Sequence, residues 1–247
     1  MIERNGAEVF ADACLNAGVR PIDLIVKTAV WVSPESFQYL PVWYPEAWRK
    51  APLFNSTWTR RSTNTNRATG IKGDKSEANE RAAIALANAL GVKKPPGWTC
   101  CHIWGIDDEK FEKSNSIVQD PRFYSCTANM IYLPTPLKAF TDSLPDIKAM
   151  LRTCAFHLYG WACDHPDVLA QAQEIRSGRL PNGYPELWPA HGRNVLPPNT
   201  VSFNEKIRRS ADQRKKAIRS AMDKFSDGAN FPKKQVQEAL AYWKIAL

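Results

Sequence analysis

One histidine in this chain stands where its type could do chemistry. The run Trp98-Thr99-Cys100-Cys101-His102-Ile103-Trp104 is β-prone, with the histidine near its end. An imidazole of unperturbed pKa about 6.5 is largely neutral and proton-accepting near pH 7, which suits it to activating a water molecule. A histidine in an aromatic-flanked strand is equally an ordinary half-buried residue satisfied by a backbone carbonyl, and the run alone leaves both readings open. His157 lies beside Phe156, Leu158 and Tyr159 and reads as packing, while His165 and His191 sit next to Pro166 and Gly192 in loops. Asp107-Asp108-Glu109 is chemically acceptable to a metal but reads as a solvated loop. The six cysteines (Cys14, Cys100, Cys101, Cys126, Cys154, Cys163) contain no CxxC pair, so the spacing of a zinc ribbon is missing and buried, reduced thiols are expected.

The elements that would position these residues follow from periodicity and stop signals. Helical spacing predicts a helix over 7–17 stopped by Gly18, and a strongly apolar stretch over 21–32 that reads as either helix or buried strand. Residues 33–73, rich in Pro, Ser, Thr, Asn and aromatics, read as a surface loop region. A helix is predicted over 76–90, ended by Gly91, and Pro95-Pro96-Gly97 breaks the chain after it. The His102 strand, a polar loop over 105–120, a second β-prone end at Asn129-Met130-Ile131-Tyr132-Leu133 and helices over 136–142 and 145–160 complete the centre. Residues 181–200, with five prolines and two glycines, read as a linker or wrapping arm, followed by helices over 204–225 and 233–246. The expected fold class is α+β, mainly helical around a small central unit, with segments 1–96, 97–165 and 166–247.

The composition, 44% hydrophobic and 23% charged, fits a folded globular chain and argues against disordered, collagen-like and coiled-coil classes. The absence of a long apolar run argues against a membrane span, and the start Met1-Ile2-Glu3-Arg4 does not read as a signal peptide, so a cytoplasmic protein with no membrane partner is expected. Lys and Arg total 33 against 25 Asp and Glu, a net charge of +8, which favours an anionic partner. The surplus is uneven. Residues 49–75 hold seven basic side chains against Asp74 alone, and residues 201–247 hold eleven against five, whereas residues 101–200 are slightly acidic. Arg60, Arg61, Arg67 and Lys72 lie among Ser, Thr and Asn, the chemistry of phosphate and base-edge contact, and Arg208, Arg209, Lys215 and Lys216 recur at near-helical spacing.

The His102 strand, the Ala128-Asn129-Met130-Ile131-Tyr132-Leu133 strand end and the proline-started helix after it resemble the HNH, or ββα-metal (His-Me finger), endonucleases over about residues 98–145. The resemblance implies a metal-dependent hydrolase cutting double-stranded DNA, of restriction type, with His102 as general base and Mg2+ or another divalent cation such as Mn2+ at the scissile phosphate. In it Asn129 takes the place of the family's asparagine, which ligates metal or braces the loop that orients the histidine. Two positions depart from the pattern: Cys101 stands where relatives often hold a metal-ligating Asp or His, and Lys138 where a helical His is usual. Asp142, four residues further on, becomes the expected carboxylate ligand beside Asn129, with Lys138 counted among the DNA contacts. A homodimer is a further expectation. The competing expectation is a non-catalytic DNA-binding protein with a degenerate ββα unit, and RNA is the alternative substrate.

Overall fold

A computed structural model describes residues 4–49, 64–65, 72–73, 78–93, 95–105, 115–227 and 231–247, with backbone alone at 64–65, 72–73 and 78–79. The chain opens with α1 (Gly6–Asn16), where the Asn5 side chain accepts from Ala7 N–H and so caps the first turn. The ambiguous apolar stretch resolves into both readings in succession. Helix α2 (Pro21–Thr28) starts on a proline, where a missing N–H costs nothing, and β1 (Trp31–Val32) follows after an extended break.

Residues 33–48 overturn the expectation of a surface loop. Helix α3 (Pro34–Tyr39) is capped by Ser33, whose hydroxyl accepts from Ser36 N–H, and Leu40, Val42, Trp43, Tyr44 and Ala47 beyond it are buried. The segment runs beside residues 125–127: Thr127 N–H donates to Pro41 O at 2.9 Å and Tyr44 N–H to Ser125 Oγ at 2.8 Å. Its polar and proline-rich spelling masked a set of aromatics that the core takes up. Strands β2 (Asn64–Thr65) and β3 (Lys72–Gly73) pair antiparallel, and α4 (Ala78–Ala89) follows.

The centre is a pair of antiparallel strands, β4 (Trp98–His102) and β5 (Met130–Pro134), with His102 opposite Met130 and Trp98 opposite Pro134. Helix α5 (Lys138–Ser143) and the long α6 (Pro145–Tyr159) come next, α6 stopping where Gly160 takes a left-handed φ of 67°. Strand alternation then divides the core in two. Cys101, Ile131 and Leu133 face a cluster shared with α2, α5 and α6, whereas Met130 and Tyr132 face a second cluster containing Tyr44, Leu86 of α4 and Tyr124. Both clusters draw on residues from either side of the Pro95-Pro96-Gly97 break.

Helix α7 (Leu169–Arg176) follows α6 and buries Ala172 and Ile175 in the core. The proline-rich stretch after it is a wrapping arm: Trp188 is buried edge-on against Trp31, and Asn199 Nδ2 donates to Lys27 O before β6 (Thr200–Val201) pairs parallel with β1. Helix α8 (Glu205–Lys224) begins on Asn204, whose side chain accepts from Lys206 and Ile207 N–H, and buries a narrow stripe of Ile207, Ala211 and Ile218. Helix α9 (Lys233–Tyr242) docks Trp243 so that its Nε1 donates to Arg122 O at 2.7 Å. The architecture is α+β, and no helix among the described residues is long and apolar enough to cross a membrane.

Candidate functional site

His102 ends β4 and is half-buried, its ring stacked on Tyr124 at 5.7 Å between centroids. Its Nε2 lies 2.9 Å from Tyr124 O. A carbonyl only accepts, so Nε2 carries the proton in the neutral ring and Nδ1 carries the lone pair. Burial, aided by the positive charges of Arg49 and Lys138, pushes the histidine down to about 4 against the pull of the Tyr124 carbonyl. The imidazole is therefore neutral at pH 7, in a locally cationic setting.

The loop before β5 supplies that carbonyl, and Asn129 holds the loop. Its side chain is fully buried: Oδ1 accepts from Trp104 N–H at 2.7 Å, Nδ2 donates to Phe123 O at 3.1 Å, and its main-chain carbonyl accepts from Ile103 N–H at 2.9 Å. One residue thus ties the backbone just after His102 to the backbone just before Tyr124. Arg49 reaches this neighbourhood because its N–H donates to Val118 O at 2.8 Å, at the end of the buried 40–49 segment.

The expected metal ligands are engaged otherwise. The Asn129 oxygen is occupied by the Trp104 amide. Asp142 forms an ion pair with Lys138 one turn away on α5, so the expected ligand and the expected DNA contact neutralise each other. Helix α5 also covers the Cys101 face of the hairpin, whereas His102 stacks on Tyr124 of the other cluster. Cys101 is buried, with its thiol pushed up to about 11, so it stays protonated and is a poor ligand. No group of three or more His, Cys, Asp or Glu among the described residues could hold a metal ion, and these donors do not fit a magnesium site beside His102. Asp107, Asp108 and Glu109 lie outside the described residues.

Of the expected DNA contacts, Arg60, Arg61 and Arg67 lie outside the described residues, and Lys72 is placed by its backbone in β3. Helix α8 carries the rest on eight basic against three acidic side chains. Arg209 and Lys216 are exposed, and Lys216 lines a shallow groove with Arg219, Ser220, Asp223 and Lys224. Arg208 lies 3.5 Å from Glu205, and Lys215 Nζ sits 4.3 Å from the Tyr39 ring centre. Arg214 is structural: it pairs with Glu46 and its Nε donates to Trp43 O at 2.5 Å, tying α8 to the segment that delivers Arg49.

Three participants carry little or no sequence signal. Tyr124 contributes a main-chain carbonyl, which leaves no side-chain signature. Arg49 stands in the basic stretch with nothing local to single it out. Arg152, a buried cation of α6, donates to Ile103 O and Gly105 O beside the site; its one signal is a charge inside an apolar helix. The chain matches no family model, no curated protein and no solved structure.

Proposed function

We propose that this protein hydrolyses phosphodiester bonds of double-stranded DNA as an endonuclease, with His102 as general base. The observation that carries the reading is the His102 Nε2 contact to Tyr124 O, which leaves Nδ1 as the proton acceptor at a strand end. In the reaction Nδ1 takes a proton from water as the water oxygen bonds to phosphorus, and the P–O bond to the leaving oxygen breaks. The positive charge that Arg49 brings near the histidine favours the approach of a phosphate. Arg209, Lys216 and Arg219, exposed on α8, supply further cations for a run of phosphates. Restriction-type cleavage and a homodimer are parts of the proposal that depend on the digestion pattern and on solution mass.

A second reading, a non-catalytic DNA-binding protein, is favoured by one observation: Asn129 and Asp142 are both engaged within the protein. Incubating supercoiled plasmid, and RNA in parallel, with purified protein and Mg2+ or Mn2+ separates the two. The first reading predicts plasmid fragments with discrete ends. Plasmid that is bound but uncut with either metal would establish the second.

A further inference from the structure

Arg152 sits in α6, a helix buried on nearly all sides, and is itself only 1% exposed. A permanent charge taken out of water is costly unless polar partners replace its hydration. Three of its partners lie on the three residues that follow His102. Nε donates to Ile103 O at 3.2 Å, Nη2 donates to Gly105 O at 2.7 Å, and the guanidinium carbon lies 5.4 Å from the Trp104 ring centre. Asn129 holds the same segment through Ile103 N–H and Trp104 N–H. Four main-chain groups in three residues are thereby held by two residues: three by the Arg152 and Asn129 side chains, and the Ile103 N–H by the Asn129 main-chain carbonyl. The fit is close, since a Cβ at Gly105 would stand 2.5 Å from Asn115 Nδ2.

We propose that Arg152 is a positioning residue: through the Ile103 and Gly105 carbonyls it fixes the backbone that carries His102, and so sets the orientation of the imidazole against Tyr124. The inference rests on His102 as the working base, but its test reads the ring directly. Tyr124 from the preceding loop stacks on that ring, and the charges of Arg49 from the buried segment and Lys138 from α5 act on it at longer range. An arginine that served only to fill space would change stability and leave the ring's titration alone. Loss of the guanidinium instead loosens the backbone, admits water to the imidazole and moves its protonation upward, with sign opposite to burial.

The experiment uses the full chain and the variants Arg152→Lys and Arg152→Gln, with fold checked by circular dichroism. Histidine Cε1–H resonances are followed by NMR from acid to neutral pH, with His102 assigned by its own substitution. The expected result is a midpoint raised by about one unit or more in a folded variant, with kcat for plasmid cleavage falling about tenfold or more at little-changed KM. A folded variant with an unchanged His102 midpoint overturns the proposal. A shifted midpoint in a protein that cuts nothing supports the positioning role and removes the nuclease reading. If neither variant folds, the wild-type Arg152 Nε–H signal decides: slow exchange with a cross-peak to the Trp104 amide supports the role, and exchange as fast as in exposed arginine overturns it.

Discussion

The residues around His102 and the outer face of α8 handle charge and polarity in opposite ways. Around His102, Asn129 has both ends of its carboxamide bonded out of water, Arg152 is buried against two carbonyls, and the histidine is oriented by a third carbonyl. On α8, Arg209 and Lys216 project into solvent from a helix attached by a narrow apolar stripe and the Arg214–Glu46 pair. The first arrangement fixes one atom's position and protonation. The second keeps long, hydrated cations available to any run of phosphates. Chemistry needs the former, and grip needs only the latter.

That contrast predicts unequal costs of substitution. Asn129→Ala strands the Trp104 amide in a dry site, at about 1–3 kcal/mol for an unsatisfied group, and leaves the Phe123 carbonyl with the Cys126 N–H alone. Thermal unfolding should show a midpoint lower by roughly 5 °C or more, with cleavage falling alongside it. The double variant Arg209→Ala/Lys216→Ala should leave stability within about 0.5 kcal/mol while weakening DNA binding. Its salt slope should flatten by about 0.9 for each phosphate that the missing cations would have neutralised. A variant that unfolds early, or an unchanged salt slope, would erase the distinction between the two regions.

The pH dependence follows from the direction of the His102 shift. The proposed base works in its neutral form, and a folded value of about 4 keeps it neutral well below the ordinary range. The acid limb of kcat/KM should therefore fall below pH 5. The unfolded chain takes up this proton near pH 6.5, so the histidine's contribution to stability declines as pH drops from there toward 4 and is constant below. The smallest effect belongs to the α5 surface. Asp142→Asn breaks a partly exposed pair with Lys138 and should cost under about 1 kcal/mol in chemical denaturation.

The parts of the fold legible in sequence are those with local punctuation. Gly91 and Gly160 mark the ends of α4 and α6, Asn204 opens α8, and the strands on either side of the central loop carry β-prone residues. Residues 33–48 read as loop because prolines and serines describe the local backbone, whereas burial of Trp43 and Tyr44 depends on a partner segment 80 or so residues away. His102 and Asn129 are legible by type and order. Their relation is not: Asn129 acts through main-chain groups of Trp104 and Phe123, and the orienting partner of His102 is also a main-chain carbonyl. The ion pair between Lys138 and Asp142 follows from their four-residue spacing, a local signal that outweighs separate roles for the two side chains.

The central role of His102 is tested most directly by comparing wild-type protein with His102→Ala on one DNA substrate, measuring binding and single-turnover cleavage in the same buffer. Cleavage should be lower by about 10²–10⁴-fold with binding changed less than about twofold, since the proposed grip lies on α8. Equal cleavage by the two proteins would contradict His102 as the base.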